Sequence, residues 1–158
     1  LTEKAVARVL ERGAVPIVLG GDHSITYPVL KAFARVHKPL DILHFDAHPD
    51  LYDDLYGDRL SHACPFARIL EDGLAAGVVQ VGVRAVTAAH RARALKHGLR
   101  MIEMKEIEGP LHLRFVNPVY ISFDMDALDP AFAPGVSHHE PGGLATRQAI
   151  QVIQELKG

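Results

Sequence analysis

The sequence predicts an α/β fold built on a mainly parallel sheet, and three observations carry that expectation. Short apolar runs, too brief for helices, recur along the chain. Segments with helical spacing separate them, and the runs are apolar on both faces, as strands are when helices cover both sides of a sheet. Right-handed crossovers then bring the C-terminal ends of all strands to one edge of the sheet, where open α/β sheets bind ligands.

The elements follow in order. Residues 4–12 have helical composition, and Gly13 ends them. Val15 to Leu19 is an apolar run stopped by Gly20-Gly21 and is expected to be a buried strand. Residues 25–36 carry helical spacing at Ile25, Val29, Leu30, Phe33 and Val36, and Asp41 to Phe45 is a second strand. A polar, aromatic loop leads to a helix near 62–71. Val78 to Val83 is a third strand, 87–97 a helix, and Leu99 to Ile102 a fourth strand. Pro118 to Phe123 is a fifth, a Pro/Gly loop runs to Leu144, and Thr146 to Leu156 begins a last helix. With no linker or internal repeat, residues 1–158 are expected to form a single domain.

Composition narrows the function. A net charge of −2, from 17 basic and 19 acidic residues, argues against a nucleic-acid partner or a polybasic membrane anchor. No apolar run approaches the roughly 18 residues of a membrane span. The single cysteine, Cys64, excludes an internal disulfide and fits a reducing compartment. Ten histidines are many for 158 residues and call for a chemical reason.

That reason lies directly after three of the expected strands. The first is followed by Gly20-Gly21-Asp22-His23-Ser24, the second by Asp46-Ala47-His48-Pro49-Asp50, and the fifth by Asp124-Met125-Asp126. Convergence on one sheet edge would gather His23, Asp46, His48, Asp50, Asp124 and Asp126. Four carboxylates in one pocket repel one another unless some take up protons or cations neutralise them. Two divalent ions would do so, and mixed oxygen and imidazole ligation suits Mn²⁺, Fe²⁺, Co²⁺ or Zn²⁺. Alternate residues of Asp46-x-His48-x-Asp50 and Asp124-x-Asp126 would share a face if the strands continued through them. Taken singly, each aspartate has a plainer reading as a cap or turn former. His44 is read as packed beside the site, and Cys64 as a packing residue. His37, His90, His97 and His112 are read as surface residues.

At these residues the chain resembles the ureohydrolase (arginase/agmatinase) family. The signatures are GGDHS at 20–24, DAHPD at 46–50 and SFDMDALDP at 122–130. Segments such as DPAFAPGVSHHEPGGL look most like plant-type arginases and related bacterial agmatinases. The resemblance implies a three-layer α/β/α sandwich and two Mn²⁺ per chain. One ion would be held by His23, Asp46, Asp50 and Asp124, the other by Asp46, His48, Asp124 and Asp126. It implies that a metal-bridging hydroxide attacks a guanidinium carbon of a small substrate, releasing urea and an amine. Asp50 would steer the proton towards the leaving amine. His62 matches the family's proton-shuttling histidine, a task suited to a group that titrates near neutrality. His138 is the candidate for substrate contact, with a solvent-facing loop histidine as its alternative. A homo-oligomer, trimeric or hexameric, is implied, in the cytoplasm or the mitochondrial matrix.

Two departures from the family pattern matter. The stretch after the third strand, Arg84 to Ala89, lacks the carboxylates that contact the substrate α-amino group in animal-type arginases. This tilts the expected substrate towards agmatine, with arginine still open. The chain is also expected to be truncated at both ends relative to a typical member, without the C-terminal glutamate that pairs with the guanidinium. Two rivals therefore stand. One is a sister amidinohydrolase acting on guanidinobutyrate, guanidinopropionate or formiminoglutamate. The other is a catalytically inactive, metal-binding fragment or interaction domain. A dinucleotide binder is disfavoured, since Gly20-Gly21-Asp22-His23 lacks G-x-G-x-x-G.

Overall fold

The computed structural model describes residues 1–156. It divides into two compact units, Leu1–Leu40 with Asp50–Ala76, and Asp41–Pro49 with Gly77–Gly158.

The first unit is helical. Helix α1 (Thr2–Leu10) buries Val6 and Leu10, four residues apart and so on one face. Gly13, at φ 70°, takes the chain out of the helix in a conformation that costs glycine nothing. A 3₁₀ turn (His23–Ile25) leads into helix α2 (Thr26–Val36), which packs on α1 and fully buries Val29 and Leu30. Glu3 of α1 receives Arg35 and, at 3.8 Å, Lys31 of α2. Helix α3 (Pro65–Glu71) opens on Pro65, whose missing N–H is no loss in a first turn.

The second unit holds the sheet. Strands β1 (Asp41–Phe45), β2 (Gly77–Val83), β3 (Arg100–Glu103) and β4 (Val119–Phe123) lie in the order β3-β2-β1-β4, all parallel. Phe45 stands opposite Val81 on one side and Phe123 on the other, so the C-terminal ends of β1 and β4 are level. Helices α4 (Ala88–Lys96) and α5 (Thr146–Gln154) complete the unit. Leu43, Phe45 and Val81 meet Leu128, Leu144, Ala149 and Val152 in its core. The expected α/β class with a mainly parallel sheet is therefore present.

Four expectations need correction. Val15 to Leu19 is no strand: it joins no ladder, and Val15, Ile17 and Leu19 are 86%, 87% and 91% exposed. An apolar run becomes a strand only where a neighbour offers its N–H and C=O groups, and among the described residues none pairs with this one. Among the described residues four strands form where five were expected. His90 is not a surface residue. It is 3% exposed, and its Nδ1 accepts from Thr87 N at 3.3 Å while Thr87 Oγ1 accepts from His90 N, closing a capping box on α4. The last helix stops at Gln154 instead of running to Leu156.

The fourth correction concerns the two aspartate-rich segments, where the strands do not continue. Asp46 Oδ1 accepts from His48 N at 2.6 Å, and Asp124 Oδ1 accepts from Asp126 N at 3.1 Å. Each aspartate thus turns the chain just after its strand. Asp50 sits at φ 50°, outside any strand conformation.

Candidate metal centre

The second unit presents a built cluster at the C-terminal edge of its sheet. Asp46 follows β1, and its N–H bonds to Val81 O at 3.2 Å. Asp124 follows β4, and its N–H bonds to Phe45 O at 2.9 Å. The backbone of both residues is thereby fixed by the last rungs of the ladder. Gly82, at φ 96°, bends the end of β2 beside them, where a Cβ would lie 3.3 Å from Asp46 O. Asp126 rides on the 3₁₀ turn that Asp124 caps, and its Oδ1 accepts from Ala47 N at 3.0 Å.

His48 completes the group. Its Nδ1 lies 3.1 Å from Asp126 Oδ2 and 3.4 Å from Asp46 Oδ1. One ligand atom from each of Asp46, His48 and Asp126 lies within 4.8 Å of the other two. The hydrogen bonds that His48 donates to Asp126 and Asp46 push its pKa up to about 10, against the opposing effect of burial. Without a metal, an imidazolium proton thus balances two nearly buried carboxylates. A divalent cation could replace that proton with more charge and the same oxygen and nitrogen donors, so the residues fit a metal.

Behind the cluster stands a polar pair that the sequence reading only half anticipated. His44 was expected beside the site, and it is fully buried there, with Nε2 2.9 Å from Asp46 Oδ2. Its other nitrogen, Nδ1, faces the Gln80 amide at 3.0 Å, and the same amide donates to Pro49 O at 2.7 Å. Because Pro49 O only accepts, the Gln80 NH₂ group must face this way. His44 Nδ1 is therefore the acceptor, and its Nε2–H points at Asp46. Gln80 was missed. Its signal is a glutamine inside Val-Val-Gln-Val-Gly-Val, directly opposite His44 in the parallel register.

The first unit holds the remaining candidates. His23 Nδ1 lies 2.7 Å from Asp50 Oδ2, both side chains being 10% exposed, and the His23 ring meets Phe66 edge-on at 5.8 Å. Asp50 is anchored through its carbonyl, which accepts from Phe66 N at 3.2 Å. Asp22 caps the 3₁₀ turn, and its hydrogen bonds from Ser24 hold its carboxyl below the usual range, helped by His62 and His23 and opposed by burial. His62 is exposed, with Ser61 Oγ 3.5 Å from its Nδ1. Cys64 is fully buried, and burial pushes its thiol pKa up, in keeping with a packing role. His138, back in the second unit, is exposed and meets the His48 ring edge-on at 5.5 Å.

Comparison with known proteins accords with this arrangement. The Arginase family model matches residues 1–158. The chain is 50% identical to the mitochondrial arginase of Medicago truncatula over 151 residues, covering 90% of this chain and 45% of the relative. A solved structure of Medicago truncatula arginase superposes with a TM-score of 0.93 at 44% identity, covering 99% of this chain and 52% of the other. The mitochondrial agmatinase of Gallus gallus is 39% identical over 164 residues, covering 96% of this chain and 48% of the relative. A triple mutant of the T. brucei arginase-like protein, solved bound with Mn²⁺, matches with a TM-score of 0.87 at 35% identity, covering 99% of this chain and 51% of that one. The chain spans about half the length of the curated relatives it matches. With a family model that spans it entire and this sheet-edge cluster, the chain belongs to the arginase family.

Proposed function

We propose that this chain carries most of a two-manganese amidine hydrolase site that cleaves a guanidinium C–N bond of agmatine or arginine. The observation that carries the reading is the cluster of Asp46, His48 and Asp126 at one sheet edge, in a chain of the arginase family. The proposed ligands are His23, Asp46, Asp50 and Asp124 for one ion, and Asp46, His48, Asp124 and Asp126 for the other. The Mn²⁺ bound by the triple mutant of the T. brucei arginase-like protein supports the choice of metal. When bound, the ions would supply Lewis acidity and activate water as a nucleophile near neutral pH.

The chain's own residues do the rest. His44 and Gln80 fix the orientation of Asp46, and the Ala47 N–H fixes that of Asp126. Asp50, held by His23, steers a proton towards the leaving amine. His62, exposed on its loop, exchanges that proton with solvent. His138, on the open side of His48, is the proposed substrate contact. The 158 residues are taken as part of one catalytic domain that works as a homo-oligomer. The mitochondrial names of several relatives favour the matrix as its compartment, with the cytoplasm as the alternative.

The test is urea release from agmatine and, separately, arginine by the Mn²⁺-loaded protein, with Asp124→Asn as control. Urea that disappears in the control establishes the reaction and selects the substrate. If neither gives urea, formamide and urea assays on formiminoglutamate and the guanidino acids test the sister activities. A second reading is a metal-binding but inactive form. Bound Mn²⁺ without turnover would identify that form. A folded chain that binds no Mn²⁺ would sink both readings.

A further inference from the structure

His48 has two faces, and only one belongs to the metal cluster. Its Nδ1 points at Asp46 and Asp126, and its Nε2 lies 3.6 Å from Glu140 Oε1. An imidazole that gives one nitrogen to a cation keeps a proton on the other, and a carboxylate there fixes the tautomer and the ring orientation. Glu140 can meet that need at reduced cost, because its side chain is 41% exposed and keeps part of its hydration.

The backbone of Glu140 is held much more firmly than its side chain. Its carbonyl accepts from Arg84 Nε at 2.9 Å and Nη2 at 2.5 Å. The same guanidinium donates to Asp126 O at 2.7 Å, Gly82 O at 3.1 Å and Leu128 O at 3.3 Å. One side chain therefore ties the Glu140 loop to the Asp126 turn and to the end of β2. Next along the loop, the Gly142 and Gly143 N–H groups donate to Asp129 Oδ2 at 2.7 and 3.1 Å. A Cβ at Gly143 would come within 2.5 Å of Asp129 N and 2.7 Å of Arg84 Nη2, so the approach has no room for a side chain.

We propose that Glu140 is the positioning residue of His48: its carboxylate, at ion-pair distance from Nε2, favours the Nε2–H tautomer, leaves Nδ1 as the metal donor, and is itself set in place by Arg84. The proposal rests on the metal reading above and goes beyond it by giving the Glu140 loop a role in metal affinity. Arg84 acts only through backbone carbonyls, so its part is to hold the loop.

The test is Mn²⁺ affinity by titration calorimetry on wild type, Glu140→Gln, Glu140→Ala, His48→Ala and the double variant His48→Ala/Glu140→Ala. Glu140→Ala is expected to weaken the affected Mn²⁺ by about 10- to 100-fold, the usual cost of losing such a partner. Glu140→Gln keeps an acceptor oxygen at the same reach and is expected to recover part of that loss. In the His48→Ala background, removing Glu140 should change affinity less than twofold. The proposal is overturned if Glu140→Ala binds like wild type. It is equally overturned if Glu140→Gln and Glu140→Ala are equal, since charge alone would then account for both. An undiminished effect of Glu140→Ala without His48 would overturn it too. Wild type that binds no Mn²⁺ would instead defeat the metal reading, and this proposal with it. The thermal midpoint of the metal-free Glu140 variants, expected to match wild type, separates these effects from loss of fold, and the double variant is compared with His48→Ala.

Discussion

Gln80→Leu tests the polar support behind the cluster most directly, because leucine keeps the volume and removes only the amide. Gln80 is fully buried and donates both amide hydrogens, one to Pro49 O at 2.7 Å and one to His44 Nδ1 at 3.0 Å. The substitution strands two buried acceptors, each worth about 1–3 kcal/mol when left without a donor. Against this, leucine also removes Gln80 Oε1, a buried oxygen with no hydrogen-bond partner, which offsets about 1 kcal/mol. The net expectation is a loss of about 3 kcal/mol, a change of over a hundredfold in the unfolding equilibrium at about 1.4 kcal/mol per decade. With a urea m-value of about 2 kcal/mol/M, the midpoint should fall by roughly 1.5 M. Mn²⁺ affinity should fall as well, because His44 is then free to take the other tautomer and release Asp46. A midpoint shift below about 0.3 M, with an unchanged m-value, would refute the assigned hydrogen bonds.

Three further outcomes are expected. Phe45→Ala removes a fully buried ring that meets Phe123 at 5.0 Å, and should cost about 3–5 kcal/mol in calorimetric or urea unfolding. A loss under about 1 kcal/mol would mean that the sheet core is not packed as described. Tyr27 donates to Asp72 Oδ2 at 2.5 Å, and burial, then Asp72, pushes its pKa from 10.0 up to about 12. A raised phenol pKa favours the neutral folded form, so its contribution is complete below pH 10 and is lost as pH rises through 12. Wild type should lose stability over that alkaline window faster than Tyr27→Phe, and parallel slopes would contradict the pairing. Finally, Mn²⁺ at a hundred times its Kd should stabilise the wild type by about 2.7 kcal/mol and raise its thermal midpoint, reversibly with chelator. Asp126→Asn should abolish most of that rise.

The strands were legible where their environment is complete. Ile42, Leu43 and Phe45 are apolar on both faces because β1 lies between two neighbours, and burial follows from position in the sheet. The same apolar signal failed at Val15 to Leu19, because a strand is a joint property of two edges and one sequence window reports only one of them. The ligand candidates were legible because acidic and imidazole side chains follow β1 and β4 directly. Their local geometry was not. Beyond the last ladder rung, an aspartate beside a free N–H two residues on closes a turn sooner than it extends a strand, and both Asp46 and Asp124 do so.

What escaped the sequence shares a physical cause. Gln80 matters because parallel register sets it opposite His44, and that register is invisible until two distant strands are paired. Arg84 matters because five backbone carbonyls converge on one guanidinium, and carbonyls carry no side-chain signature at all. The carboxylates and His48 can be read from residue type because they offer charge and lone pairs directly. The groups that aim them act through alignment, which only the fold creates. For this candidate centre that division assigns the identity of the proposed ligands to local sequence and their orientation to long-range contacts. Substitutions at Gln80 or Glu140 should therefore alter metal affinity while leaving every proposed ligand in place.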